Sequence, residues 1–363
     1  MTSESGKIHP TVIALSKPLD GDVTMSNDMY KNSHPPRLKT MNLPSLCSAC
    51  LDATADIMTT SSTSMSLPPR HDTLFSVFTK HQLWPNCKPS FDSVSVAHKT
   101  AVITGGNVGI GLECGKLLLS LHLERLIFGV RSLEKGEEAA RLLRKHYPGA
   151  KIDVWHLDLN SYESIKSFAS QCATLPHLDI AILSAGIMNT SYKTSPSTGH
   201  EEMFQVNYLS AALLGLLLLP VLRKKGPSGT PGQLTLVASG AAMIAQFSER
   251  NEAALVSSFD RPQSWGSAKA RYDTTKGLVL MLTLSLSKLV SADDVVVNVV
   301  DPTFTPGTSF FREFPLLARL ALWPLVTLVG TSVNNAGWRY VDAVAVRGKA
   351  SHGSLISDWE ISP

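Results

Sequence analysis

The chain has 363 residues, 44% of them hydrophobic and 17% charged, which supplies ample material for a buried core and excludes a wholly disordered or collagen-like chain. Its 33 lysines and arginines against 30 acids leave a formal charge of +3, too slight an excess to suggest a nucleic-acid partner. Five scattered cysteines, an odd set, argue against a secreted disulfide framework and lead us to expect a reducing, cytoplasmic location.

Residues 1–64 mix Ser, Thr, Pro, Asn and Met without steady periodicity, and the run Met58 to Met65 offers little to bury. We expect this stretch to be disordered, or a spurious extension ahead of a start at Met65. No basic segment followed by an apolar one opens the chain, so no signal peptide is expected. Cys47-Ser-Ala-Cys50 has metal or redox spacing, but no second pair or nearby histidines complete a zinc site, and two unrelated thiols are the preferred reading. Residues 65–98 then lead into a domain that begins at Lys99.

From there strands and helices alternate. Lys99 to Thr104 is a short β-branched run, followed by a glycine-rich loop through Gly111 and a helix from Leu112 to about Leu121. Further strands are predicted at Arg125–Val130, Lys151–Trp155, Leu178–Leu183, Gln233–Ala238 and Val295–Val300. Helices are predicted at Leu133–Lys145, Ser161–Ala173, Phe204–Leu222 and Tyr272–Val290. Regular alternation of this kind predicts one α/β domain over residues 99–363, a Rossmann-type doubly wound parallel sheet with helices on both faces. Ligands of such sheets bind beyond the carboxyl ends of the strands.

The first of those ends is Thr104-Gly-Gly-Asn-Val-Gly-Ile-Gly111. Glycines let the backbone turn sharply and approach a pyrophosphate, whose charge the unpaired N–H groups of the following helix receive. A plain tight turn is the competing reading. The second strand ends at Gly129-Val130-Arg131, without the acid that a site preferring NAD places there. A guanidinium binds a 2′-phosphate bidentately where a carboxylate repels it, so Arg131 favours NADP(H), with a solvated arginine as the alternative. Further along, Tyr272-Asp-Thr-Thr-Lys276 sets a phenol and an ammonium one helical turn apart. A tyrosine of ordinary pKa near ~10 is a poor acid–base at neutral pH unless its phenolate is favoured, and a tenfold preference corresponds to about 1.4 kcal/mol. Lys276 is expected to supply that preference.

The glycine loop matches the TGxxxGxG pattern, and the Tyr–Lys pair the YxxxK pattern, of the short-chain dehydrogenase/reductase family. Over residues 72–363 the chain resembles its members, above all fungal ones of secondary-metabolite pathways, which share the type of ending seen from Ser351-His-Gly-Ser to Trp359-Glu-Ile-Ser-Pro363. The resemblance implies Tyr272 as acid–base, Lys276 also as a holder of the nicotinamide ribose, Ser239 as donor to the substrate oxygen and Asn207 as support of a proton relay. It further implies cofactor contacts from Gly105, Asn107, Gly109, Ile110, Gly111 and Asp158. Two departures stand out. The usual Asn-Ala-Gly after the fourth strand is Ser184-Ala185-Gly186, and the usual Pro-Gly after the sixth is Pro302-Thr303, leaving Thr303 and Thr305 as candidate nicotinamide contacts. The literal Asn334-Asn335-Ala336-Gly337 follows no strand and is read as a decoy.

The 33-residue step from Ser239 to Tyr272 is longer than in the simplest relatives and resembles that of retinol dehydrogenases. It is expected to line the substrate pocket, with a surface loop as the alternative. Phe314 to Gly330 is apolar, within a substrate-side lid expected over about 303–335. Tyr208 to Leu222 is apolar too, but 15 residues are short for a span of about 20, so no transmembrane segment is expected and peripheral membrane contact stays open. Relatives bury the helix after the Tyr–Lys pair against a partner subunit, which implies a homodimer or homotetramer. The expected activity is NADP(H)-dependent interconversion of an alcohol and a ketone or aldehyde on an apolar small molecule. The alternatives are a catalytically impaired NADP(H)-binding regulator and a retinol- or steroid-like dehydrogenase at a membrane.

Overall fold

A computed structural model describes residues 88–306 and 330–362, together with Leu67 and Asn86. The expected tail over 1–64, the start at Met65 and the Cys47–Cys50 pair lie outside the described residues, as does most of the expected lid, residues 307–329.

The strands are β1 (Thr100–Thr104), β2 (Arg125–Val130), β3 (Lys151–His156), β4 (Ile180–Leu183), β5 (Gly232–Val237), β6 (Val295–Val300), β7 (Leu355–Ser357) and β8 (Glu360–Ser362). They form one sheet in the order β3-β2-β1-β4-β5-β6-β7-β8, parallel throughout except for β8, which runs antiparallel to β7. β1, β4, β5 and β6 are buried at every position, which explains their near-continuous Val, Ile, Leu and Ala: a parallel sheet covered on both faces has no wet side. The strand order reverses between β1 and β4, opening a crevice at their carboxyl ends.

On one face of the sheet lie α3 (Tyr162–Ala173), α4 (Glu202–Leu222) and α6 (Ala268–Ser287), with Phe168, Leu214, Leu218, Val279 and Leu282 in a shared apolar core. On the other lie α1 (Gly109–Ser120), α2 (Leu133–His146) and α7 (Val333–Ala345), packed through Cys114, Leu118, Leu143, Tyr340 and Val341. Serine side chains at positions 132, 161, 267 and 332 cap α2, α3, α6 and α7, and the Glu201 carboxylate caps α4.

Three features differ from the expectation. α4 is 21 residues long, so by length and composition it passes for a membrane span; here its inner face is buried in the core, the place of a sheet-covering helix. α6 begins at Ala268, four residues ahead of Tyr272, so the Tyr–Lys pair stands inside the helix rather than at its start. Finally, Asn334 and Asn335 belong to the start of α7 and not to a lid, because Asn334 donates to Glu113 on α1 and Gly337 packs against Leu117.

The carboxyl-terminal stretch, whose strands the periodicity did not reveal, closes the sheet. Asp358 and Trp359 both take positive φ, 49° and 68°, as the two central residues of a β7–β8 hairpin of the primed type require. Asp358 is pinned by buried Arg339 at 3.1 Å and by the backbone N–H of Asn86 at 2.7 Å. His352 accepts from the N–H of Val297 and bonds the Ser287 carbonyl, docking the chain end on β6 and α6.

Phe128 on β2 fills the gap left by two glycines. A Cβ at Gly106 would sit 2.0 Å from its ring and one at Gly115 2.9 Å away. Gly106→Ala should therefore destabilise the domain by about 1–3 kcal/mol, the usual cost of overpacking a tight core. Urea unfolding checks this; an unchanged midpoint would show that the ring moves aside freely.

Candidate active site

The loop from β1 to α1 turns on two glycines in the left-handed region, Gly105 at φ 68° and Gly109 at φ 59°. Gly105 donates to the Gly129 carbonyl at 2.9 Å, and Gly111 in the first turn of α1 lies so close to Gly105 that a Cβ would come within 3.0 Å of its carbonyl oxygen. Unlike its capped neighbours, α1 has Val108 at its N-cap, no side-chain cap bond and no acid in its first turn. Its leading N–H groups and positive dipole end are thus left for an anion. Asn107 and Ile110 are half-buried on this loop and first turn. Arg131, one residue past β2, is exposed and makes no ion pair among the described residues. Asp158, beyond β3, is half-buried and folds its own loop: its Oδ1 accepts from Asn160 N–H, and its N–H donates to Ser164.

The Ser184-Ala185-Gly186 turn after β4 is held from three sides. Ala185 N–H donates to Thr104 Oγ1 at 3.0 Å, and Ser184 Oγ donates to the buried Tyr340 hydroxyl at 3.3 Å. Asn207 holds the next residue at both ends, accepting from Ile187 N–H at 2.8 Å and donating to its carbonyl at 2.9 Å. Asn207 sits in a π-helical turn, Gln205–Leu209, within α4, and its amide also reaches Thr275 Oγ1 on α6 at 3.2 Å. Its side chain therefore ties the β4 turn to the helix bearing Tyr272 and Lys276. Thr104, Thr275 and Tyr340 escaped the sequence reading as site residues; only Thr104, inside the glycine-loop motif, carried a signal.

At the end of β5, Ser239 is half-buried and hydrogen-bonded to the hydroxyl of Tyr272, which is buried on α6. Lys276, one turn on, donates to the Val237 carbonyl at 2.8 Å, and its Nζ is 5.8 Å from the Tyr272 ring centre. Gly186 faces this pair: a Cβ there would lie 3.3 Å from Lys276 Nζ and 3.3 Å from Asn207 Oδ1. Ser239, Tyr272, Lys276, Asn207 and the β4 turn are thus brought together at the carboxyl edge of the sheet. In the loop after β6, Thr303 has φ 62°, a left-handed conformation where relatives are expected to place glycine. Asp301 accepts from its N–H at 2.9 Å, and Thr331 accepts from its hydroxyl at 2.9 Å. Thr305 is buried, its hydroxyl turned to the carbonyls of Pro302 and Thr303.

The short chain dehydrogenase family model matches residues 99–254. A short chain dehydrogenase/reductase of Annulohypoxylon moriforme, mfmJ, is 43% identical over 304 residues, 83% of this chain and 88% of the relative. The chain belongs to the short-chain dehydrogenase family. The short chain dehydrogenase virL of Hypocrea virens is 37% identical over 82% of this chain and 88% of its own length. Among solved structures, a putative short chain dehydrogenase of Escherichia coli complexed with NADPH shares the fold, with TM-score 0.55, 18% identity and coverage of 75% of this chain and 100% of that one. A putative gluconate 5-dehydrogenase of Beutenbergia cavernae with bound NADP has TM-score 0.56 at 20% identity, covering 73% and 98%.

In this dehydrogenase burial acts on both members of the Tyr–Lys pair. Burial pushes Tyr272 well above the ordinary tyrosine range; the bond to Ser239 pulls it down, and the charges of Asp301 and Asp273 push it further up. Lys276 is itself lowered by burial to about 8, with its ammonium turned to the Val237 carbonyl. Desolvation is the largest cause for both groups, which lie in the same dry wall.

A lysine held lower in the fold than in the unfolded chain makes the unfolded state bind more protons between the two values, so stability rises with pH across that window. Lys276 should contribute such a rise from about pH 8 to about 10.4, of about 3 kcal/mol. Lys276→Met should flatten the curve of unfolding free energy against pH over this window. Parallel curves for the two proteins would refute the burial of the charge.

Proposed function

We propose that this chain is an NADP(H)-dependent oxidoreductase that interconverts an alcohol and a ketone or aldehyde on an apolar small molecule, in the cytoplasm and within secondary-metabolite biosynthesis. The observation that carries the reading is the hydrogen-bonded Ser239–Tyr272 pair with Lys276 one turn away, set at the carboxyl edge of the sheet.

The residues fit a dinucleotide on structural grounds: a glycine turn where added side chains would meet backbone, an uncapped helix start, and an unpaired exposed guanidinium at the end of β2 among the described residues. Gly105 to Gly111 and the first turn of α1 would hold the pyrophosphate, Asp158 the adenine side, Arg131 the 2′-phosphate, and Tyr272 and Lys276 the nicotinamide ribose. Ser184, Ala185, Gly186, Thr303 and Thr305 would border it. When bound, NADP(H) supplies or takes up a hydride at its nicotinamide. Tyr272 holds a proton at its phenol oxygen and gives it to the substrate oxygen during reduction, taking it back during oxidation. Ser239 donates to the same oxygen as negative charge gathers there. Lys276 keeps a positive charge beside the phenol at neutral pH, so the oxygen that loses the proton is less costly to leave charged. Asn207 holds the β4 turn against this group.

Two solved relatives carry NADPH or NADP, which supports the cofactor assignment alongside Arg131. The exposed Leu216 on α4 and Met281 and Leu284 on α6 support a homodimer or homotetramer. A second reading, a catalytically impaired NADP(H)-binding regulator, is favoured by Thr303 in place of glycine; the retained Ser239, Tyr272 and Lys276 weigh against it.

Tyr272→Phe should abolish turnover across a panel of apolar aldehydes, ketones and alcohols while weakening NADPH binding, followed by nucleotide fluorescence, by no more than about tenfold, the worth of one hydrogen bond. Substantial residual turnover would remove Tyr272 from the proton-transfer role. Arg131→Ala should weaken NADPH binding about 10- to 100-fold, the worth of a charge-assisted bond, and leave NADH nearly unchanged. Equal losses for the two nucleotides would overturn the NADP(H) assignment.

A further inference from the structure

The residue directly before Tyr272 is an arginine with no place in the chemistry above. Arg271 is 2% exposed, so its charge has left water, and burial lowers its pKa from the usual guanidinium range while nearby Glu249, Glu201, Tyr192 and Asp260 raise it. A buried cation persists only where opposite charge, acceptors and ring faces surround it. For Arg271 the direct contacts all come from one segment. Nη1 lies 3.3 Å from the buried Glu249 carboxylate, Nη2 donates to the Ser264 carbonyl at 2.7 Å, and the guanidinium carbon stands 4.4 Å from the Phe259 ring centre and 5.7 Å from that of Trp265. Each partner lies in the stretch that leaves β5 at Ser239 and re-enters α6 ahead of Tyr272.

That stretch has little regular structure of its own: three short 3₁₀ turns and the five-residue helix α5 (Leu255–Phe259). Its order depends on what it docks against. Phe259 stacks on Phe204 of α4 at 4.1 Å and 7°. Asp260 accepts from Glu201 N–H at 2.9 Å and pairs with His200 at 2.8 Å, and its carbonyl accepts from Tyr192 Oη at 2.7 Å. One guanidinium therefore gathers the segment, and the segment in turn is fastened to the start of the helix that carries Asn207.

We propose that Arg271 is a positioning residue for proton transfer: by clamping the 240–267 segment onto α6, it holds the Ser239 hydroxyl, at one end of that segment, against the Tyr272 hydroxyl at the other. The inference rests on the reading of Tyr272 as the proton-transfer residue. Hydrogen-bonded geometry is steeply distance-dependent, and a displacement of about 1 Å in a catalytic group costs about 100-fold in rate. Lysine cannot replace the arginine fully, because an ammonium lacks the flat face and the fork that serve Phe259, Glu249 and Ser264 together.

The test compares the full-length wild type with Arg271→Met, Arg271→Lys and Glu249→Gln, the last keeping the arginine in place should the first fail to fold. NADPH binding by nucleotide fluorescence should stay within about twofold for each folded variant. With octanal, acetophenone and benzyl alcohol as probes, kcat of Arg271→Met should fall about 100-fold, with Arg271→Lys and Glu249→Gln falling in the same direction by less. The pH midpoint of kcat/KM for benzyl alcohol oxidation, which reports the free enzyme, should move upward, because Tyr272 there loses the bond from Ser239 that favours its phenolate. Backbone hydrogen exchange should rise within residues 240–267 and stay unchanged in β1, β4 and β5. A variant with a lower melting temperature but wild-type kcat and pH midpoint would reduce Arg271 to a structural role and overturn the proposal. Should the wild type turn over none of the probes, the reading of Tyr272 falls by itself; the exchange experiment still decides on the clamp, which unchanged protection over 240–267 would refute.

Discussion

The hydrogen bond between Tyr272 and Ser239 joins two separate elements, the end of β5 and the second turn of α6, and it does so in a nearly dry wall. Dryness sets the terms of the chemistry. A phenol and an ammonium exposed to water would settle close to their ordinary ranges, whereas here burial moves each toward its neutral form. The protonated phenol is the donor form that carbonyl reduction requires. For alcohol oxidation the same oxygen must first be relieved of its proton. In that direction the Ser239 bond and the residual charge on Lys276 act against desolvation, and small changes in their geometry bear directly on the balance.

Such a balance is useful only if the surrounding loops cannot drift. The β4 turn at the carboxyl edge of the sheet is tied to its neighbours by side chains: to β1 through Thr104, to α7 through Tyr340, and to α4 and α6 through Asn207. These bonds are individually modest, about 1 kcal/mol each. Collectively they join the β4 turn, β1, α4, α6 and α7 into one framework, so that reacting groups are oriented before any substrate arrives. The π turn in α4 has a clear use in this setting, since it is where Asn207 reaches both the Ile187 backbone and Thr275.

Much of the sheet was legible in the residues themselves. Runs such as Val295–Val300 and Arg125–Val130 are short, β-branched or apolar, and flanked by breakers, and the observed strands have those ends. The helix boundaries were less legible, because polar first turns such as Ala268-Lys-Ala-Arg271 show no apolar period and are defined by the Ser267 cap. β7 and β8 escaped because three-residue strands carry no periodicity; their order comes from distant partners, Arg339 and Asn86 among them. At the site, the glycine loop and the Tyr–Lys spacing were visible as local patterns. The direction of the shifts at Tyr272 and Lys276 was not, since a spacing reports which groups are near each other and says nothing of how much water remains between them. Nor could spacing reveal that Lys276 would turn its ammonium to the Val237 carbonyl.

Thr303 bears on whether the departures from the family pattern weaken the site. A β-branched residue in the left-handed region costs about 1–3 kcal/mol and persists only where its surroundings over-determine the backbone. Here Asp301, itself buried and accepting also from Ser357, receives the Thr303 N–H, while Thr331 receives its hydroxyl and donates its own N–H to the Phe304 carbonyl. The loop is thus bent into the conformation that glycine would adopt freely, and the side chain that imposes the strain also supplies one of the bonds that offset it. The substitution leaves the path of the backbone after β6 intact and adds a bond between the two described ends that flank residues 307–329. A loop whose shape is enforced at this cost is what a site that must meet a ligand at a fixed distance requires, and it makes the change from glycine a poor argument for lost catalysis.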